Sequence, residues 1–184
     1  MFENLFENLA ASMAKANNYD KDQQEKIQYV MKTFVFEIIK IILIITIFSF
    51  FGYNKEVLII LLVMTSTKPF IGGYHEDTQI RCFLSSVAIT FAILVLSLNS
   101  SLNVFSCAAI SIMCLICIWY RAPILNPRMP MTKKELIMKN KIIGTTITAI
   151  FAVVALIFIK YNTYSECIIW TITFQTLLLF NKLY

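Results

Sequence analysis

Apolar residues fall into long runs at about residues 34–51, 57–67, 83–98, 102–120, 142–159 and 167–180, each followed by a polar stretch. A helix needs ~20 residues to cross a ~30 Å hydrocarbon layer, and only a helix or a closed barrel satisfies its backbone there. The runs therefore predict an all-α, polytopic membrane protein of about six transmembrane helices. Residues 1–184 form a single integral membrane domain in this reading.

The stretch ahead of the first run, residues 1–33, carries a different pattern. Phe2, Leu5, Phe6 and Leu9 stand at helical spacing, with Glu3, Asn4, Glu7 and Asn8 opposite them, which predicts an amphipathic N-terminal helix. Such a helix lies along a membrane surface or packs on the protein or on a second subunit. Asp20 is placed to cap a second helix, whose Ile27, Val30, Met31 and Phe34 lead into the first span. Glu37 and Lys40, one turn apart near the start of that span, read as a local ion pair. Gly52, Tyr53 and Asn54 then make a tight turn. The second run has 11 residues before Lys68 and Pro69, and the proline is expected to break the helix there. Asn99, Ser100 and Ser101 form a short turn between antiparallel neighbours. Residues 121–141 are the one substantial linker, with Pro123, Pro127 and Pro130 followed by a basic helix bearing Lys133, Lys134, Lys139 and Lys141.

Composition agrees with lipid as the solvent: 58% of residues are apolar and 15% charged. No secretory signal is legible in residues 1–16, where Glu3 and Glu7 interrupt, so the spans themselves are expected to direct insertion. With the N-terminus in the cytoplasm most cations lie inside, Lys68, Arg81, Arg121 and the linker lysines among them, leaving Lys55 and Lys160 outside. Both termini then share the cytoplasmic side with the loop at residues 68–82. The net charge of +5 is spread over short loops and implies no nucleic-acid partner. The five cysteines predict no disulfide framework, and Cys114 and Cys117, although spaced as a metal or redox pair, read as packing residues inside a span. No metal or cofactor is expected.

Chemistry concentrates in residues 68–82, which hold the single histidine, His75, with Cys82 seven residues on. A cysteine at the start of a helix, beside Arg81 and near an imidazole, has the surroundings that favour thiolate, and His75 can serve as its base. Seven residues of continuous helix would hold the two ~10 Å apart, too far for proton transfer, so the chain must double back at Gly72 and Gly73 after Pro69. Glu76, Asp77, Thr78 and Gln79 are candidates to orient the imidazole, and Lys68 and Arg81 to shape the local field. The same residues also fit an interfacial loop histidine and a helix-packing cysteine. No second histidine for a zinc protease, no paired carboxylates in facing spans and no G-x-S-x-G serine elbow are present.

Gly72-Gly73-Tyr74-His75, followed by six residues and Cys82, resembles the accessory gene regulator B family of membrane endopeptidases. Ala122-Pro123, the basic stretch from Lys133 to Lys141 and the succession of spans extend the resemblance over most of the chain. The resemblance implies that Cys82 is the nucleophile and His75 the general base. It further implies that the substrate is an AgrD-like propeptide, which loses its acidic C-terminal tail and is cyclised to a thiolactone or lactone quorum-sensing signal. Lys133, Lys134, Lys139 and Lys141 are candidates to attract that tail, beside their ordinary reading as positive-inside charges. A homodimer is suggested by the family. The rival readings are a small peptide exporter and a noncatalytic membrane adaptor.

Overall fold

The computed structural model describes residues 11–12, 19–72, 78–124, 133–159 and 162–180. Among them are six long helices and no strand: α1 (Lys21–Ser49), α2 (Asn54–Ile71), α3 (Gln79–Asn99), α4 (Val104–Arg121), α5 (Lys134–Ile157) and α6 (Asn162–Leu178). Three of these, α3, α4 and α5, are long and apolar enough to cross a membrane. The proposed amphipathic helix at the N-terminus falls largely outside the described residues. Residues 1–46 and residues 47–184 form two compact units.

In the first unit, α1 starts as its sequence predicts. Asp20 Oδ1 accepts from the Gln23 amide at 2.7 Å and Gln23 Oε1 accepts from the Asp20 amide at 3.1 Å, a reciprocal cap that satisfies two donors at the helix start. Glu37 and Lys40 form the expected ion pair.

The second unit is organised around α6, which packs against α2, α3, α4 and α5. Ser165, Glu166, Cys167, Ile169, Thr171, Ile172, Gln175 and Thr176 are all buried on it. A helix covered on so many sides shows little amphipathic pattern, which is why its central position was not evident from periodicity. Around it lies one apolar cluster of Val63, Cys107, Cys114, Ala152, Ala155, Ile168, Ile169 and Ile172. Cys107 and Cys114 thus serve as small packing residues, as read from the sequence, and the five cysteines are thiols.

The two ends of this bundle are built differently. At one, the fully buried Glu166 accepts from Ser100 Oγ at 2.6 Å and from the Leu102 amide at 2.9 Å, while Trp170 Nε1 donates to Ser100 Oγ at 2.9 Å. The carboxylate thereby ties the turn between α3 and α4 to α6, and nearby Ser165 Oγ donates to the Ala155 carbonyl of α5. At the other end, Ile71, Ile118, Ala122 and Leu179 form a second cluster with Ile124 packed on it.

One boundary differs from expectation. Pro69 does not interrupt α2, which runs 18 residues, about 27 Å, through it to Ile71. The missing proline amide removes one bond, the one toward Thr65, and only two helical residues follow, so little ladder is lost. Gly72 ends the helix instead. Its amide donates to the Lys68 carbonyl at 2.9 Å, and its φ of 74° and ψ of −157° lie in a region essentially confined to glycine.

Candidate functional site

Cys82 lies in the first turn of α3. Thr78, extended at φ −118° and ψ 148°, caps the helix by accepting from the Arg81 amide on its hydroxyl at 3.3 Å. The Cys82 amide already donates to the Thr78 carbonyl at 3.0 Å, so it belongs to the helix ladder. The helix opens at Gln79, earlier than the apolar run suggested, and Cys82 sits at its positive end with the Gln79 and Ile80 peptide units ahead of it. The thiol residue is half-buried, whereas Thr78, Gln79 and Arg81 are exposed. Cys82 is thus held on the first turn of a capped helix.

Five residues, 73–77, join Gly72 to Thr78 and lie outside the described residues; they include Gly73, His75, Glu76 and Asp77. Both attachment points are fixed. On the downstream side the extended Thr78 caps α3, so the helix carrying Cys82 begins after it, at Gln79. On the upstream side, the Ile124 amide donates to the Ile71 carbonyl at 3.1 Å, pairing the start of the linker with the end of α2. A Cβ added at Gly72 would fall 2.3 Å from the Ile124 carbonyl oxygen, so this approach excludes every side chain. Helix α5 closes on the same point. A Cβ on Gly144 would lie 2.6 Å from Ile71 Cγ2 and 3.3 Å from the Ile71 amide nitrogen.

The remaining candidates distribute around this end. Lys68 is half-buried and Pro69 exposed on the last turns of α2. Lys133 occupies the cap position of α5 without a side-chain capping bond, Lys134 opens the helix, and both are exposed, as is Lys139. Cations at a helix N-terminus oppose the macrodipole by about 0.3–1 kcal/mol each, so they strengthen the local positive field instead of relieving it. Lys141 is set apart, its Nζ 4.9 Å from the centre of the Trp119 ring on α4. Arg121 stacks similarly on Phe180, 4.9 Å from its ring centre. Among the described residues, no three His, Cys, Asp or Glu side chains gather as metal ligands.

Two residues absent from the sequence-derived candidates stand out. Glu166 holds the far end together, and Gln175 bridges α6 to α2 near the Cys82 end, accepting from Thr67 Oγ1 at 2.7 Å and donating to the Met64 carbonyl at 3.3 Å. The available signal was a carboxylate and a carboxamide bordering or interrupting an apolar run, where each needs a partner.

The family model described as accessory gene regulator B matches residues 6–179. The chain is 45% identical over 170 residues to a protein of Clostridium perfringens (strain 13 / Type A) named "Putative AgrB-like protein 1", across 92% of this chain and 91% of that one. No solved structure matches it significantly.

Proposed function

Because this chain belongs to the accessory gene regulator B family, we propose that it is a membrane cysteine endopeptidase that trims and cyclises an AgrD-like propeptide. It is a membrane protein, with three helices long and apolar enough to span and a family tie to the accessory-gene-regulator quorum-sensing system. The finer reading is six spans, with the Cys82 end at the cytoplasmic face.

The observation that carries the catalytic reading is Cys82 itself, a half-buried thiol in the first turn of a capped helix. It follows a five-residue connection whose two ends are held. His75 takes the thiol proton and the Cys82 thiolate attacks the scissile carbonyl. As the tetrahedral adduct collapses, the C–N bond breaks, the imidazolium gives its proton to the departing amine of the acidic tail, and a thioester to Cys82 remains. A thiol or hydroxyl within the peptide then gives its proton to His75 and attacks that carbonyl, and as this second adduct collapses the thioester C–S bond to Cys82 breaks, which frees the Cys82 thiolate and closes the ring. Transfer from thioester to thiol exchanges like for like in bonding, so exclusion of water decides between cyclisation and hydrolysis. Lys133, Lys134 and Lys139, exposed at the start of α5, would draw the acidic tail toward this face.

Coexpression with the propeptide tests the reading. Cys82→Ala and His75→Ala should each lower trimming by about 100-fold or more while the protein still accumulates in the membrane. Hydroxylamine should release a peptide from wild-type Cys82. Normal trimming by Cys82→Ala would point to the exporter or adaptor readings instead.

A further inference from the structure

The apolar run of α4 ends at Tyr120 and that of α5 opens at Ile142, so Trp119 and Lys141 stand at one boundary of the apolar layer, on two helices that pack together. Lys141 Nζ lies 4.9 Å from the centre of the Trp119 ring. Lys141 shares the inward face of α5 with Gly144, Thr148, Ala152 and Ala155, which follow it at helical spacing and are buried. The residue is half-buried, its ammonium held in the seam between α4 and α5. Among the described residues no carboxylate forms an ion pair with it. A cation placed there at the edge of lipid calls for an anion.

From Trp119 into the apolar layer, Ile116 and Ile112 continue along α4 at helical spacing, and all three are exposed. They make an apolar stripe about 10 Å long. On α5 the nearest hydroxyl along the seam, that of Thr145, already donates to the Lys141 carbonyl at 2.8 Å. A cation at headgroup level thus opens onto a strip that only hydrocarbon matches. A free anion would leave the strip uncovered, and an acidic peptide would bring charge to where apolar contact is wanted.

We propose that the α4–α5 seam binds a phospholipid with a net-anionic headgroup, its phosphate beside Lys141 and an acyl chain along Trp119, Ile116 and Ile112. An ammonium has three donors, so it holds a phosphate oxygen while the indole face covers another side. A basic residue lodged between membrane helices is the chemistry that selects anionic lipid from the bulk bilayer. Arg121 supplies a contrast within the same helix end. It is exposed, stacks on Phe180 and lies two residues, roughly 200° of helix, from Trp119, so it carries the same charge on another flank. The inference is independent of the assignment of Cys82.

The test uses the full-length protein in nanodiscs of phosphatidylcholine with a minority of phosphatidylglycerol, the composition held constant and bromine placed on the acyl chains of one lipid or the other. Trp170→Phe leaves Trp119 as the sole tryptophan. Per brominated molecule, phosphatidylglycerol should quench Trp119 fluorescence with a preference of roughly fivefold over phosphatidylcholine, the scale of one cation beside an anionic headgroup. Lys141→Gln should abolish the preference and Lys141→Arg should keep it. Arg121→Gln, which removes the same charge from the other flank, should leave it close to wild type. Equal quenching by the two lipids would overturn the inference. Equal losses in Lys141→Gln and Arg121→Gln would overturn it too, since they would mark a general attraction of this end for an anionic surface. Inorganic phosphate should act no differently from chloride at matched ionic strength. Selective loss of the preference in phosphate would assign the seam to a free anion, and selective loss with a glutamate-rich peptide would assign it to an acidic chain; either would overturn the lipid occupant. Should Trp170→Phe, which removes the indole bonded to Ser100, fail to insert, the difference in quenching between wild type and Trp119→Phe reads the same site by the same criteria.

Discussion

Gly72 carries two constraints at once, and they are separable in principle. Its backbone occupies a conformation that costs a side-chain-bearing residue about 1–3 kcal/mol, and the Ile124 carbonyl stands where a Cβ would go. Gly52, with φ of 83°, shares the left-handed backbone but has open space around its missing Cβ. The pair makes an internal control. Gly72→Ala should reduce propeptide trimming by roughly tenfold or more, since about 1.4 kcal/mol of strain already shifts an equilibrium by a factor of ten. Gly52→Ala, with strain but no clash and at the other end of α2, should lose some thermal stability and leave trimming per folded molecule near wild type. Trimming assays normalised to membrane-inserted protein check both. Sequence reading recognised Gly72 as a point of freedom, whereas its second property depends on Ile124, 52 positions later, and no local pattern encodes that approach.

Helices were the most legible level, because a membrane forces long apolar runs and the polar turns between them announce the ends. The turn at Asn99 to Ser101 and the Asp20 cap emerged where the residues place them. Pro69 misled because its effect depends on its distance from the helix end: two residues from Ile71 it removes one amide bond and permits the helix to finish. The helix-to-helix contacts were less legible. Gly144 sits inside an apolar run that reads as an ordinary span, yet it is the point at which α5 reaches the backbone of Ile71. Gly144→Ala should therefore force α5 from the end of α2, costing about 1–3 kcal/mol as an overpacked contact. Ile71→Leu removes the Cγ2 methyl that the new Cβ would strike, so the double variant should recover part of the loss. Thermal unfolding in detergent, followed by reaction of the buried Cys107 and Cys167 thiols, measures both steps. Additive destabilisation would show that Phe70 Cβ and the Ile71 amide nitrogen, 3.2 and 3.3 Å from the added Cβ, and not the Ile71 side chain, set the limit.

At the scale of the whole protein, the distribution of charge predicts an orientation for the second unit. The end formed by Ile71, Ala122, Ile124 and Leu179 also bears Lys68, Arg81, Arg121 and the lysines that open α5. The opposite end, where Glu166 holds Ser100 and Leu102, has no cation between Asn99 and Asn103. Cations are retained on the cytoplasmic side of short loops, so the Cys82 end should face inward and the Glu166 end outward. Single cysteines at Asn99 and Arg128, introduced with Cys82 and Cys117 replaced by serine, test this directly. Asn99 is exposed at the turn, so Asn99→Cys should react with an impermeant maleimide in intact cells, and Arg128→Cys only after permeabilisation. The reverse pattern would place Cys82 outside, away from newly made propeptide. It would make the thiol reachable only by a peptide that had already crossed the membrane, and would thus reverse the order of trimming and export. Orientation therefore bears on function as strongly as the chemistry of the thiol, and it is read from residues that touch no substrate.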